Sequence, residues 1–406
     1  MAELLAPAGD MEKLKTAVHF GANAVYLSGK SFGLRAFASN FTTNEIAIAV
    51  KYCHERGVKV YVTVNIYAKE EDLIQLPQYL MDIYAADIDA VLVSDPGIIQ
   101  LIHEYVPKLT IHLSTQANTT NSYAVKFWSE CGVKRIVLAR ETSLDEMKQI
   151  TVAAHKVGVE TEAFIHGAMC ISYSGRCLMS DFLTERGSNH GECVQACRWE
   201  WQITEPTHTQ QPLFLQEDER GTYILNSKDL NMIEHIADLN ECGIDSFKIE
   251  GRMKSPYYVA TVVNAYRRAI DEYNFNHEIN VNAEYINELY KTSHRRYTTG
   301  FYYKAAASRQ CYESSKAVQE TEFIATVKSY EQGIATIEMR NRFGVGSELE
   351  ILSAGKSFNK RFVVESIKNL EGKNVMDAKL VQQILTVPCP YVLYENDILR
   401  TISLRE

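Results

Sequence analysis

Four cysteines stand close together in this chain: Cys170, Cys177, Cys193 and Cys197, spaced C-x6-C-x15-C-x3-C. With 9 cysteines in 406 residues, a window of that width should hold fewer than one. Thiolates are soft ligands suited to zinc or to iron–sulfur clusters. Zinc ribbons favour two tight C-x2-C knuckles, and that pattern is absent here. Wide, uneven spacing in an irregular loop suits an iron–sulfur cluster, whose ligands approach from separate directions; zinc is the alternative. Arg176, Arg186 and Arg198 lie close in sequence and offset thiolate charge. The other five, Cys53, Cys131, Cys242, Cys311 and Cys389, are scattered singly and read as small buried apolar side chains. An odd count is a poor basis for a disulfide framework.

A second set of chemical residues sits at the ends of apolar runs. These are Ser28, Asn65, Ser94 and Asp95, Ser114 to Gln116, Arg140 and Glu141, His166, then Glu250 and Arg252. Polar residues begin where any strand stops, so one of them means little. Two arginines, acids, a histidine and a glutamine converging on one rim mean more. Hydrolytic signatures are missing: no HExxH and no GxSxG occur, and AGKS at 354–357 lacks the upstream glycine of a phosphate loop. Cys170 near His166 could imitate a thiol nucleophile with its base, but that leaves three cysteines unexplained.

The elements that must position these residues repeat one rhythm. Eight apolar runs, 3–7, 24–29, 59–65, 90–95, 110–116, 135–141, 160–167 and 246–252, alternate with amphipathic stretches. Near-continuous apolar runs suit strands buried on both faces. Asp10, Thr42 or Thr43, and Ser143 are placed to cap helices, and Gly21, Gly57, Gly132, Gly158 and Gly243 to close them. Eight β/α units in this span predict an α/β chain with a (β/α)8 TIM-type barrel, all the polar strand ends sharing its catalytic rim. An open doubly wound sheet would carry a glycine-rich turn after the first strand, where APAGD stands instead.

The seventh and eighth runs are too far apart for one βα unit, so an inserted cysteine-rich loop is predicted at about 168–216. The helix before the last strand is expected from near Asp229 to about Cys242. From about Glu320 short alternating strands with glycine turns predict a small all-β barrel. The predicted domains are therefore 1–316 and 317–406. The net charge of −9 and a pI near 5.7 argue against a polyanion binder acting through bulk charge. No apolar run is long enough to span a bilayer, and the N-terminus does not read as a signal peptide, so a cytoplasmic location is expected.

The segment EAFIHGAMCISYSGRCLMS, from Glu162 to Ser180, resembles the signature of the U32 peptidase-like family. LLAPAGD, VYLSG with GLRAFASNFT, HLSTQAN, VLARE, GECVQACRWEW, NSKDL and SFKIEGRMKS resemble that family too, and together cover residues 3–260. The resemblance implies either collagenase-like proteolysis, for which the family was named, or oxygen-independent hydroxylation. In the RNA-acting members it implies prephenate as oxygen donor and a [4Fe-4S] cluster on signature cysteines. Carried onto this chain, the ligands are Cys170, Cys177 and Cys193. The fourth is open between Cys197, Cys242 and a non-cysteine ligand at Asn231, where several relatives have cysteine.

The activity this implies is formation of 5-hydroxyuridine at the wobble position of a tRNA anticodon. A peptidase, or a non-catalytic subunit binding tRNA or a paralogous family subunit, is the alternative. For the chemistry, His166 and Glu250 are candidates for proton transfer, with Arg252 and Gln116 completing the catalytic set. Arg35, Arg140 and Lys254 are cations suited to clamp a dicarboxylate, and Asn118 an orienting group. Arg267, Arg268 and the basic–aromatic run 294–304 are candidates for RNA contact.

Overall fold

The computed structural model describes residues 2–33, 39–170, 172–199, 217–218, 221–222, 227–277, 280–303 and 321–401. Eight parallel strands form a closed barrel: β1 (Glu3–Pro7), β2 (Ala24–Ser28), β3 (Lys59–Val64), β4 (Ala90–Val93), β5 (Ile111–Leu113), β6 (Arg135–Val137), β7 (Glu160–Ala168) and β8 (Ser246–Ile249). Each pairs with the next, and β8 closes the ring by pairing with β1 through Glu3↔Ser246. The apolar runs are buried on both faces because helices cover the outside and side chains fill the inside. The polar tails of several runs lie beyond the paired residues and form the rim.

The caps follow the sequence. Asp10 accepts from the Lys13 N–H, and Thr42 and Ser143 each form a capping box, with Glu45 and Glu146. All five closing glycines take positive φ. The last long helix, Pro256–Asn276, starts on a Ser255 cap and packs beside the helix Met11–His19, closing the outer ring. Among the described residues no helix is long and apolar enough to cross a membrane.

Two expectations are corrected. Asp229 begins a strand, Asp229–Asn231, and helix starts only at Ile236. This strand pairs antiparallel with the overhanging end of β7, Asn231 facing His166, and parallel with Tyr297–Thr298. Arg295 holds the Asp229 carboxylate at 2.5 Å and donates its backbone N–H as well, which pins residue 229 in the extended form. The insertion is also not wholly irregular. It begins after β7 and contains a short helix, Met179–Thr184.

The C-terminal part is an antiparallel half-barrel of seven strands. Its order is Arg361–Val363, Glu348–Leu352, Ile398–Arg400, Phe323–Glu331, Ile334–Met339, Ile384–Pro388 and Lys368–Asn369. It has its own core around Ile337, Phe343, Leu385 and Leu399. Leu352, Phe358 and Ile398 instead join the barrel core. Polar clamps reinforce the contact: His19 meets Asp397 at 2.7 Å, and Arg268 donates to the carbonyls of Ser353, Ala354 and Gly355. The predicted boundary at 316/317 lies outside the described residues.

Candidate functional site

The barrel mouth holds a cavity of about 180 Å³, roofed by the cysteine loop. Its floor and walls come from the strand ends: Tyr26, Thr63, Asn65, Ser114 to Gln116, Arg140, Phe164, Lys248, Glu250 and Arg252. Its roof carries Cys170, Cys177, Cys193 and Cys197 together with Ser174, Gly175, Met179 and Asn189. Segments far apart in sequence meet here because every strand of a parallel barrel ends on one face.

The four cysteines thus share one cavity. None of the four is in a disulfide, and all are half-buried. The Gln195 N–H donates to the Cys193 sulfur at 3.4 Å. Among the described residues no three His, Cys, Asp or Glu side chains are gathered tightly enough to hold a single ion. The donor set, soft, half-buried and not spent in disulfides, fits a thiolate-bound group in the cavity roof. Cys242 lies elsewhere, buried on the helical side with its sulfur toward the Leu144 carbonyl, and burial pushes its thiol pKa up.

Asn118 ties the loop to the barrel. Its left-handed backbone, φ 53°, aims the amide so that Nδ2 donates to the Ser174 carbonyl at 3.0 Å while Oδ1 accepts from Arg176 Nε at 2.8 Å. It is an anchor beside the cavity, not part of its lining. Gln116 does line the cavity. Its Oε1 accepts from Asn65 Nδ2 at 2.7 Å, and its buried Nε2 has no partner. Arg140 reaches across from β6, stacks its guanidinium 3.9 Å over Phe164, donates to the Ala168 carbonyl and stands 3.7 Å from Glu250. Arg252 is buried and donates to Thr63 Oγ1 at 3.3 Å.

Glu250, Arg252, Gln116 and Arg140 are therefore brought together with the cysteines. His166 and Lys254 are not. His166 is 1% exposed and packs among the rings of Tyr258, Tyr266 and Tyr297. Burial, opposed by Asp229 and helped by Lys254 and His294, drives its pKa down to about 3, so it is a neutral histidine behind the cavity wall. Lys254 lies over the Tyr258 ring, near the Ser293 carbonyl. Asn231 accepts from Tyr266 and from the Ile233 N–H. Arg35 lies outside the described residues.

The RNA candidates fare differently. Arg267 pairs with Asp271 and Asn23, and Arg268 clamps the C-terminal half-barrel. In the run 294–303, His294 and Arg295 are buried and Tyr302 is bonded to the Phe164 carbonyl. Lys304 lies outside the described residues. The side chains named are used inside the fold, whereas Arg296 of the same run is exposed.

Sequence reasoning missed the charged layer beneath the cavity. Lys248, on β8, meets Glu162, on β7, at 2.8 Å, and Glu162 also meets Arg135 at 3.3 Å. Arg135 continues to Glu3 at 2.6 Å, whose other oxygen accepts from Tyr61. All but Glu3 are nearly inaccessible. The available signal was a lysine and a glutamate inside otherwise apolar runs on strands that a closed barrel makes neighbours.

A (β/α)8 barrel with a thiol-roofed, cation-lined cavity on its catalytic rim defines the class of molecule. The chain belongs to peptidase family U32: residues 9–311 match that family and residues 319–400 its C-terminal domain. It is 40% identical to a tRNA hydroxylation protein of Bacillus subtilis, over 98% of this chain and 94% of that one. It is 36% identical to a 23S rRNA 5-hydroxycytidine synthase of Escherichia coli, over 66% of this chain and 39% of that one. A collagenase of Porphyromonas gingivalis is 34% identical over 67% of this chain and 66% of its own. RNA hydroxylation is the function these RNA-acting relatives support.

Proposed function

We propose that this protein hydroxylates a tRNA uridine at the anticodon wobble position to give 5-hydroxyuridine. In this reading prephenate supplies the oxygen, dioxygen is not required, and a [4Fe-4S] cluster is held by Cys170, Cys177, Cys193 and Cys197. The observation that carries the reading is the sharing of one cavity by four cysteines, none in a disulfide, two arginines and an acid. The cluster, when bound, would supply one-electron exchange at the cavity roof. Arg140 and Arg252 bind carboxylates of the donor by charge-assisted hydrogen bonds. Glu250, held near Arg140, moves a proton at the cavity wall. Gln116, fixed by Asn65, orients the base or donor through its amide. An unstacked anticodon nucleotide is a substrate able to enter a cavity this deep in a barrel mouth.

Thiol proteolysis is less well supported: it needs a base beside Cys170, and His166 packs behind the wall among tyrosines. The test is anaerobic purification followed by iron and sulfide analysis, then incubation with unmodified tRNA and prephenate. About four iron and four sulfide per chain, lost on Cys193→Ser, are expected. Nucleoside mass spectrometry should show 5-hydroxyuridine with and without dioxygen. One zinc and no sulfide in iron-replete protein, or no product from tRNA, overturns the reading.

A further inference from the structure

We propose that Lys248 is a covalent catalytic residue: its amine condenses with the ketone of a 2-oxo acid bound in the cavity, forming an imine. The inference rests on the geometry of the cavity floor and deepens the reading of a small organic acid as co-substrate.

Lys248 lies on β8 and is 4% exposed, yet it lines the cavity. Its Nζ sits 4.6 Å from the Tyr26 ring and 5.5 Å from the Phe164 ring, with Glu162 as its charged partner at 2.8 Å. Its acidic partner, Glu162, is shared with Arg135. The carboxylate therefore keeps a cation when Lys248 gives up its charge. Burial lowers the lysine pKa, against the opposing pull of Glu162, which raises the share of nucleophilic amine. A lysine kept only as a structural cation gains nothing from facing a cavity, and Arg135 already performs that role in the same network.

The walls supply the rest. Arg140 and Arg252 are the cations for a carboxylate, and the Nε of Arg140 is buried without a partner. Glu162, 2.8 Å away, accepts the proton that the ammonium releases. The free amine attacks the ketone carbon, a C–N bond forms, and the carbonyl oxygen becomes a hydroxyl. Glu250 protonates that hydroxyl, water leaves, and the C=N bond is complete. One ketone and one amine give one imine and one water, with no oxidant or reductant consumed. The imine nitrogen, when protonated, withdraws electrons from the bound acid, which is the use of such a link in carbonyl chemistry.

The test is reductive trapping with the full-length protein. Pyruvate and phenylpyruvate are the probes, each added with cyanoborohydride and followed by peptide mass spectrometry. The expected result is an adduct on the Lys248 peptide with the mass of the oxo acid less one oxygen. Lys248→Arg, which retains the charge opposite Glu162, should lower trapping by on the order of tenfold or more while leaving the thermal midpoint close to wild type. Reduced adducts confined to surface lysines, or equal trapping in Lys248→Arg, overturn the proposal. Should that variant fail to fold, protection settles the matter: malonate, which has carboxylates but no ketone, should block the Lys248 adduct in the wild-type chain. An adduct in a protein that never hydroxylates RNA would leave the imine standing and sink the RNA reading. Hydroxylation without an adduct would do the reverse.

Discussion

Gly167 and Glu250 lie so close that a Cβ built on the glycine would stand 2.6 Å from the Glu250 carbonyl oxygen. Gly167 also holds φ at +108°, a conformation that disfavours any side chain. The two features have one cause. The end of β7 must turn away from β8 to accept the strand Asp229–Asn231, while staying against the residue that carries the cavity acid.

Gly167→Ala should therefore cost about 1–3 kcal/mol through strain and contact. It should also shift Glu250, and a displacement of that size at a reacting group lowers rate by on the order of a hundredfold. Urea unfolding and the RNA hydroxylation rate check the two parts. Wild-type activity in Gly167→Ala would show that Glu250 need not hold its position.

Asn118 anchors the cysteine loop with two side-chain hydrogen bonds, to Ser174 and from Arg176. Asn118→Ala removes both, worth about 1 kcal/mol each, and leaves a left-handed alanine. The expected outcome is faster amide exchange across 172–178, with the barrel melting nearly unchanged. Under the proposed cluster, Asn118→Ala should also lose iron to a chelator faster than wild type, while Cys242→Ser, whose thiol lies on the helical side, should keep the wild-type iron content.

His166 supplies a test based on proton linkage. Its folded pKa is about 3, against about 6.5 when unfolded. Between those values the unfolded chain binds the extra proton. Its contribution to stability is therefore complete above about pH 6.5 and declines as pH falls toward 3, by up to about 1.4 kcal/mol per pH unit. In His166→Gln the slope of stability against pH should flatten by one proton in that window. If His166 instead titrates in the pH–rate profile near neutrality, it reaches the reacting atoms and its burial has been misjudged.

Most of the scaffold was legible because its causes are local. β-branched apolar runs, capping residues and left-handed glycines specify β1–β8 and their helices wherever the chain folds. The cysteine cluster was legible for the same reason: its members are neighbours in sequence. Lys248 and Glu162 were not, since their pairing depends on ring closure of β7 onto β8. The strand Asp229–Asn231 was missed because Arg295, 66 residues away, holds it. Arg267 and Arg268 read in sequence as candidates for RNA contact. Only tertiary contact shows where their hydrogen bonds go.

Arg400 carries the last prediction. It is 0% exposed and donates to Glu288 at 2.5 and 2.9 Å and to Glu350 at 2.7 and 3.0 Å. Glu288 belongs to the helix Ala283–Tyr290 that follows the barrel, and Glu350 to the half-barrel, so one guanidinium joins the two parts. Lys291 contacts both acids but cannot replace a planar fork that bonds each of them twice. Arg400→Met leaves Glu288 with Lys291 alone and Glu350 with Lys291 and the half-exposed Arg361, and should cost about 3–5 kcal/mol. Arg400→Met combined with Glu288→Gln removes one stranded charge and should recover part of that loss, a coupling measurable as a double-mutant cycle in urea. If the single variant costs less than about 1 kcal/mol, the apolar contacts of Leu352, Phe358 and Ile398 with the His19 and Arg268 clamps hold the half-barrel to the barrel, and the Arg400 network sets only their orientation.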